Sequence, residues 1–214
     1  MLDLAFMAEI APDMVAALLI TIKLSILSIS ISIGLGTALT FVRMTGGPFA
    51  RYLIISFVEF TRGTPPLVHI SIIYFLLPQF GIVLNEFWSG VVALSLIGAG
   101  YTIEIFRGSI ESISKGQTDA ACALGLTNFQ VYFLILVPQA VRRSLPPLTN
   151  ELANVVKASS LLSVISVNEL TKVANDLIFV HFVVIEVLIE LTALYLLVVG
   201  TLMAASRWLE MRMK

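Results

Sequence analysis

Charge is scarce in this 214-residue chain: Asp, Glu, Lys and Arg make up 13% of it, and the formal net charge is −1. A balance so close to neutral offers no basic surface for nucleic acid. Cysteine is scarcer still, since the single Cys122 rules out an intrachain disulfide. No basic residue precedes Lys23, whereas Asp3, Glu9 and Asp13 do, so the N-terminus lacks the positive segment of a cleaved signal peptide. The first helix is expected to be retained. No G-x-x-x-x-G-K-[ST] occurs, so any ATP that is used must be bound by another chain. H-E-x-x-H and G-x-S-x-G are missing too, which leaves a membrane-embedded hydrolase without its chemistry. His69 and His181 stand apart without ligand spacing, and no metal site is expected.

Apolar residues fill the space that charge leaves. The chain is 58% hydrophobic with 13 Phe, its mean hydropathy is +0.97, and several runs are long enough to cross the roughly 30 Å of hydrocarbon in a bilayer. The runs are continuous and do not alternate, so the spans should be helices and not barrel strands. The fold class expected is all-α and polytopic. Hydropathy marks five regions, near residues 14–42, 52–78, 88–106, 148–166 and 182–208. Five spans put the termini on opposite sides. With the N-terminus outside, Arg43, Arg51, Arg107, Lys115, Arg142, Arg143, Arg207, Arg212 and Lys214 lie on the cytoplasmic side, and Lys172 is the only basic residue in an outer loop.

Within the spans, Thr21, Ser25, Ser28, Ser32 and Gly36 recur every three or four residues, a small face suited to close helix packing. Tandem prolines in "TRGTPP", residues 61–66, should break or kink the second region, and the half before the break either crosses or lies along the inner interface. Outside, Leu170, Val173, Ala174 and Leu177 share one face of a short amphipathic helix lying on the outer surface, with the polar Asn168, Glu169, Lys172, Asn175 and Asp176 elsewhere on it, or the segment is a solvated loop.

The least apolar interior stretch is "DAACALGLTNFQVYFLILVPQA", residues 119–140, on the cytoplasmic side. Gly125 is placed to close a short helix in a left-handed turn, and Thr127 with Gln130 forms a capping box for the next helix. Ser114 with Gln117 offers a capping box upstream, and Pro138 should limit the second helix. The result is a two-helix projection into water, suited to gripping a partner.

Asp119-Ala120-Ala121, three residues, Gly125, nine residues and Ile135-x-Val137-Pro138 resemble the E-A-A-x3-G-x9-I-x-L-P loop of permease subunits of bacterial ATP-binding-cassette importers. Asp119 and Val137 depart from that pattern, each conservatively. "RGTPPLV", "EIFRGSI", "PQAVRRSLPPLTNE" and "VVKASSLLSVI" extend the resemblance to the subfamily that imports polar amino acids and related zwitterions. The resemblance implies that residues 1–214 form a single transmembrane domain of the type I importer fold, and that residues 113–138 form the coupling loop docking into a cytoplasmic ATPase. Asp119, Ala120, Ala121, Gly125 and Pro138 then carry the docking. It also implies a dimer of ATP-binding subunits, a second permease chain, an external solute-binding protein, membrane lipid around the spans and an amino acid or derivative as cargo. This chain is expected to bind no cofactor, with ATP and Mg on the partner ATPase. The location implied is the bacterial inner membrane.

Intramembrane polar residues bear on the cargo. The fourth helix is expected to begin after Pro146-Pro147, where proline suits a first turn. At about 100° per residue, Asn150, Glu151, Asn154 and Lys157 fall within an arc of about 120°. A lone lysine or glutamate there costs on the order of 3 kcal/mol, so such residues face a cavity, a partner or a functional path. Lys157 suits a substrate carboxylate and Glu151 an ammonium; alternatively both neutralise neighbouring helices. Glu104 and Arg107, three apart, form an interfacial ion pair or a gate. Glu186 and Glu190, four apart, either line the cavity mouth or meet a partner chain. A rival reading is an ion-coupled secondary transporter using Glu151, Lys157 and Glu104, although five spans are few for an inverted-repeat carrier.

Overall fold

The computed structural model describes residues 2–212. Among these the chain is helical throughout, in the order α1 (Leu4–Thr45), α2 (Pro48–Gly63), α3 (Pro66–Ser71), α4 (Glu86–Glu111), α5 (Lys115–Ala123), α6 (Asn128–Gln130), α7 (Val137–Ala158), α8 (Leu170–His181) and α9 (Ile185–Arg212). Three of these helices, α1, α4 and α9, are long and apolar enough to cross a membrane by themselves. The region expected at 52–78 is divided at Thr64 and Pro65, as the tandem prolines require. Its first half, α2, has 16 residues, about 24 Å at 1.5 Å per residue, and cannot span alone. The second half begins as α3 and continues through a π turn and a 3-10 turn to Phe80.

Helix α1 packs along α4 through the small face read from sequence. Thr21, Ser25, Ser28, Ser32 and Gly36 are all buried. The approach is close enough that a Cβ on Gly36 would lie 2.5 Å from the Thr102 Cβ, and one on Gly100 would lie 2.0 Å from the Thr61 hydroxyl. Side chains larger than hydrogen are therefore shut out at positions 36 and 100, where α1 and α2 approach α4 most closely. Around these seams, Leu24, Ile70, Leu94, Val155 and Leu162 form a central core drawn from four helical segments and the turn after α7. A second core joins Ile10, Met14 and Ala17 of α1 to Leu170 and Ala174 of α8 and Val187 of α9. Val187 is the one fully buried residue of α9, with Leu191, Leu194, Tyr195 and Val198 packed beside this core, while Leu188, Ile189, Leu196 and Leu197 are exposed to lipid or to another chain.

The fourth region differs from the expectation. Pro146 and Pro147 lie inside α7 and do not open it. Pro138, expected to end a helix, instead sits in the first turn of α7, preceded by a π segment over residues 131–136 that joins it to α6. The physical reason is local: the π segment just before Pro138 widens the helix, and the wider turn accommodates the proline ring and its missing amide without ending the helix. The amphipathic helix is present as α8, with Leu170 and Ala174 fully buried and Val173 and Leu177 packed beside them.

Candidate functional site

The two-helix projection has the expected chemistry with two exceptions, Pro138, which does not limit the second helix, and Ser114. Gly125 adopts φ +80°, and its backbone N–H donates to the Cys122 carbonyl at 2.9 Å while that of Leu126 reaches Ala121. These bonds close α5 in the left-handed turn that glycine adopts most easily. The Thr127 hydroxyl accepts from the Gln130 backbone N–H at 3.4 Å, and the Gln130 side chain accepts from Thr127 N–H at 2.9 Å, completing the capping box. Ser114, by contrast, makes no side-chain cap. Its backbone carbonyl accepts from Gln117 N–H instead, so the first turn of α5 is closed without the hydroxyl. Asp119, Ala120, Cys122 and Pro138 are exposed, whereas Ala121 is buried beneath the loop. Leu124 and Phe129 flank the turn at 81% and 66% exposure, an apolar pair presented outward.

In the bundle, the polar arc of α7 is divided. Glu151 is buried at 8% exposure, and the Asn154 amide donates to its Oε2 at 3.4 Å. Both line a cavity of about 240 Å³ whose wall includes Tyr101, Pro66 and Leu94. Asn150 and Lys157 lie on the exposed edge of the same helix, outside that lining. Lys157 makes no ion pair among the described residues.

Glu104 is the best connected carboxylate. Arg43 of α1 donates to it at 2.6 Å and Arg107 at 2.8 Å, and Arg62 of α2 stands at 3.5 Å. Arg107 also reaches Glu111 at 2.5 Å. The i,i+3 pair read from sequence is thus the local part of a cluster tying three helices together. Sequence reasoning missed Arg43 and Arg62, because both are distant in the chain. Their signal is positional: each lies in the last turn of its helix, where cations are favoured. Arg62 also lies over the Tyr101 ring at 5.7 Å, which connects the cluster to the wall of the Glu151 cavity.

Glu169 was missed as well. Read as one of the polar residues of an outer amphipathic segment, it is fully buried as the N-cap of α8. It accepts from Thr171 N–H at 3.0 Å, Lys172 N–H at 2.7 Å and the Tyr195 hydroxyl at 3.1 Å. Burial pushes its carboxyl above the ordinary glutamate range, while these bonds act to lower it. Of the paired glutamates on α9, Glu186 accepts from the Asp3 backbone N–H at 3.2 Å. Glu190 keeps one buried oxygen without a partner. No group of three or more His, Cys, Asp and Glu side chains among the described residues is arranged to hold a metal.

The chain is similar to several known proteins. A glutamine transport system permease protein of Escherichia coli K12 is 34% identical over 205 residues, covering 95% of this chain and 94% of the relative. A nopaline transport system permease protein of Agrobacterium fabrum is 33% identical over 227 residues, covering 100% of this chain and 94% of the relative. Among solved structures, an amino acid ABC transporter crystallised with histidines superposes with a TM-score of 0.93 at 31% identity, covering 99% of each chain. A methionine ABC transporter in an inward-facing conformation shares the fold at a TM-score of 0.81 and 16% identity, over 96% of this chain and 98% of that one. The sequence profile described as "Binding-protein-dependent transport system inner membrane component" matches residues 30–214. The chain is a transport permease subunit, and it belongs to the inner-membrane components of binding-protein-dependent transport systems.

Proposed function

We propose that the chain is one half of the membrane passage of an importer for polar amino acids or related zwitterions, with ATP hydrolysed by a separate pair of subunits. The observation that carries this reading is the cavity beside Glu151. A buried carboxylate, a neighbouring amide and a tyrosine ring face a space of about 240 Å³, just under the roughly 300 Å³ lower bound for small-molecule pockets. Glu151 suits the substrate ammonium, Asn154 and Asn150 suit its polar groups, and Lys157 suits its carboxylate. Lys157 and Asn150 stand on the open edge of α7, the edge from which a second permease chain would complete the site. The likeness to an amino acid ABC transporter supports the same cargo class.

In this reading the N-terminus faces outward and the C-terminus the cytoplasm, as the arrangement of basic residues favours. A solute-binding protein delivers cargo at the outer side, and the ATPases grip Asp119 to Pro138. Closure of the ATPases moves the loop and, through α7, the wall carrying Glu151 and Asn154. The Glu104 cluster lies at the inner end and would hold α1, α2 and α4 together as that wall moves.

The test is Lys157→Met, which preserves length and apolar packing while removing the charge. Complex assembly and the binding protein's own affinity are expected to stay unchanged, with substrate-dependent uptake reduced at least ten-fold, about 1.4 kcal/mol. Normal uptake by a fully assembled complex would remove Lys157 from the substrate path.

A further inference from the structure

Two cavities lie side by side at the end of the bundle that carries the two-helix loop. The first, about 370 Å³, is lined by Arg43, Arg51 and Arg107 together with Thr40, Ile110 and Glu111. The second, about 150 Å³, is almost wholly apolar, with Phe41, Phe106, Phe133, Val137 and Val141 in its wall. Thr40 and Ile110 belong to both linings, so the two spaces are neighbours. The Tyr132 hydroxyl donates to the Met44 sulfur at 2.7 Å, joining a residue of one lining to a residue of the other.

Charge around the first cavity does not balance. Glu104 and Glu111 face Arg43, Arg62 and Arg107 in ion pairs. Arg51 adds a further guanidinium that is exposed and has no carboxylate partner among the described residues. Four cations against two anions leave a surplus that a dianionic or monoanionic ligand would offset. The second cavity has the opposite need. Its Thr40 hydroxyl is already committed to the Gly36 carbonyl at 2.7 Å, so the space gives water few partners and favours an apolar occupant. Phe41 and Val141, at 44% and 41% exposure, leave it an apolar mouth at the surface.

We propose that this pair of cavities binds one anionic phospholipid, its phosphate among Arg43, Arg51 and Arg107 and the start of an acyl chain in the apolar space beside Phe41 and Val141. A basic pocket between transmembrane helices at the membrane surface is the setting in which anionic head groups are recognised. The site ties α1, α2, α4 and the chain leading into α7, so an occupant would brace the base of the loop. The inference rests on the chain being a membrane component and is independent of which solute it carries.

The test uses the assembled complex with its ATPase, stripped of lipid in detergent and examined by native mass spectrometry. Phosphatidylglycerol, phosphatidylcholine and glycerol 3-phosphate are supplied separately. Retention of phosphatidylglycerol over phosphatidylcholine is expected, without displacement by glycerol 3-phosphate. Arg51→Gln, which breaks no ion pair, should weaken phosphatidylglycerol retention about five-fold, the effect of one surface cation on an anionic lipid. Val141→Trp should block the apolar mouth and abolish retention in a complex that still assembles. Equal retention of the two lipids, displacement by glycerol 3-phosphate, or unaltered binding by both variants would overturn the proposal. So would binding by the isolated permease that disappears in the assembled complex, since the pocket would then be an ATPase contact.

Discussion

Glu104 holds together groups that would otherwise repel. Its carboxylate stands between Arg43, Arg62 and Arg107, which come from three helices. At 16% side-chain exposure it is shielded enough that its charge cannot be replaced cheaply by water. Glu104→Gln keeps the volume, removes the charge and leaves the guanidiniums facing one another. The expected cost is about 3 kcal/mol, read as a fall of the thermal denaturation midpoint of the purified complex, with Arg62→Gln costing less because its contact is longer and more exposed. Equal midpoints for wild type and Glu104→Gln would show that the cluster is not structural. Individual residues were only partly legible in the sequence. Glu104 with Arg107, and Glu151 with Asn154, are three apart on one helix, and helical geometry alone brings them together. Arg43 and Arg62 required knowledge of which helices pack, and no local spacing supplies that.

Elements were more legible than residues, because their signals are local. The left-handed turn at Gly125, the Thr127 capping box and the break at Pro65 each follow from one or two residue types whose backbone preferences dominate their neighbourhood. Prolines 138, 146 and 147 misled in the other direction, since a proline signals a missing amide but not whether the surrounding helix ends there. The turn makes a sharp prediction. Gly125→Leu forces a side chain into φ +80°, costing about 1–2 kcal/mol, and should impair ATPase docking while the membrane helices remain intact. Circular dichroism and copurification on the same sample would check it, and full ATPase recovery would contradict the role given to the loop. Packing between elements makes another prediction. Gly100→Ala places a Cβ against Thr61, and such overpacking costs typically about 1–3 kcal/mol. The double variant with Thr61→Ser, which keeps the hydroxyl but removes the methyl, should recover little, because the clashing atom is the hydroxyl oxygen. Double replacement with Thr61→Gly should recover most of the loss.

At the scale of the whole molecule, composition established the membrane class before any motif was considered, and the arrangement of basic residues supplied an orientation. The polar interior was less legible. Glu169, read as a surface residue, is a buried helix cap held by Tyr195, and its role depends on α8 folding back onto α1 and α9. Removing that side chain in Glu169→Ala should cost about 1–3 kcal/mol through the lost cap and the orphaned tyrosine hydroxyl. A thermal scan of the complex would register it. The exposed edge of α7 that bears Lys157, and the exposed side of α9, are the surfaces that the proposed second permease chain would cover. The proposed function makes this chain the passage and another chain the source of power. Its most direct test is uptake into sealed vesicles containing the permease, with and without the ATPase, the external binding protein and an imposed proton gradient. Uptake that needs both partners and ATP, and is indifferent to the gradient, is the result expected. Uptake by the permease alone, driven by the gradient and unaffected by ATP, would contradict the account.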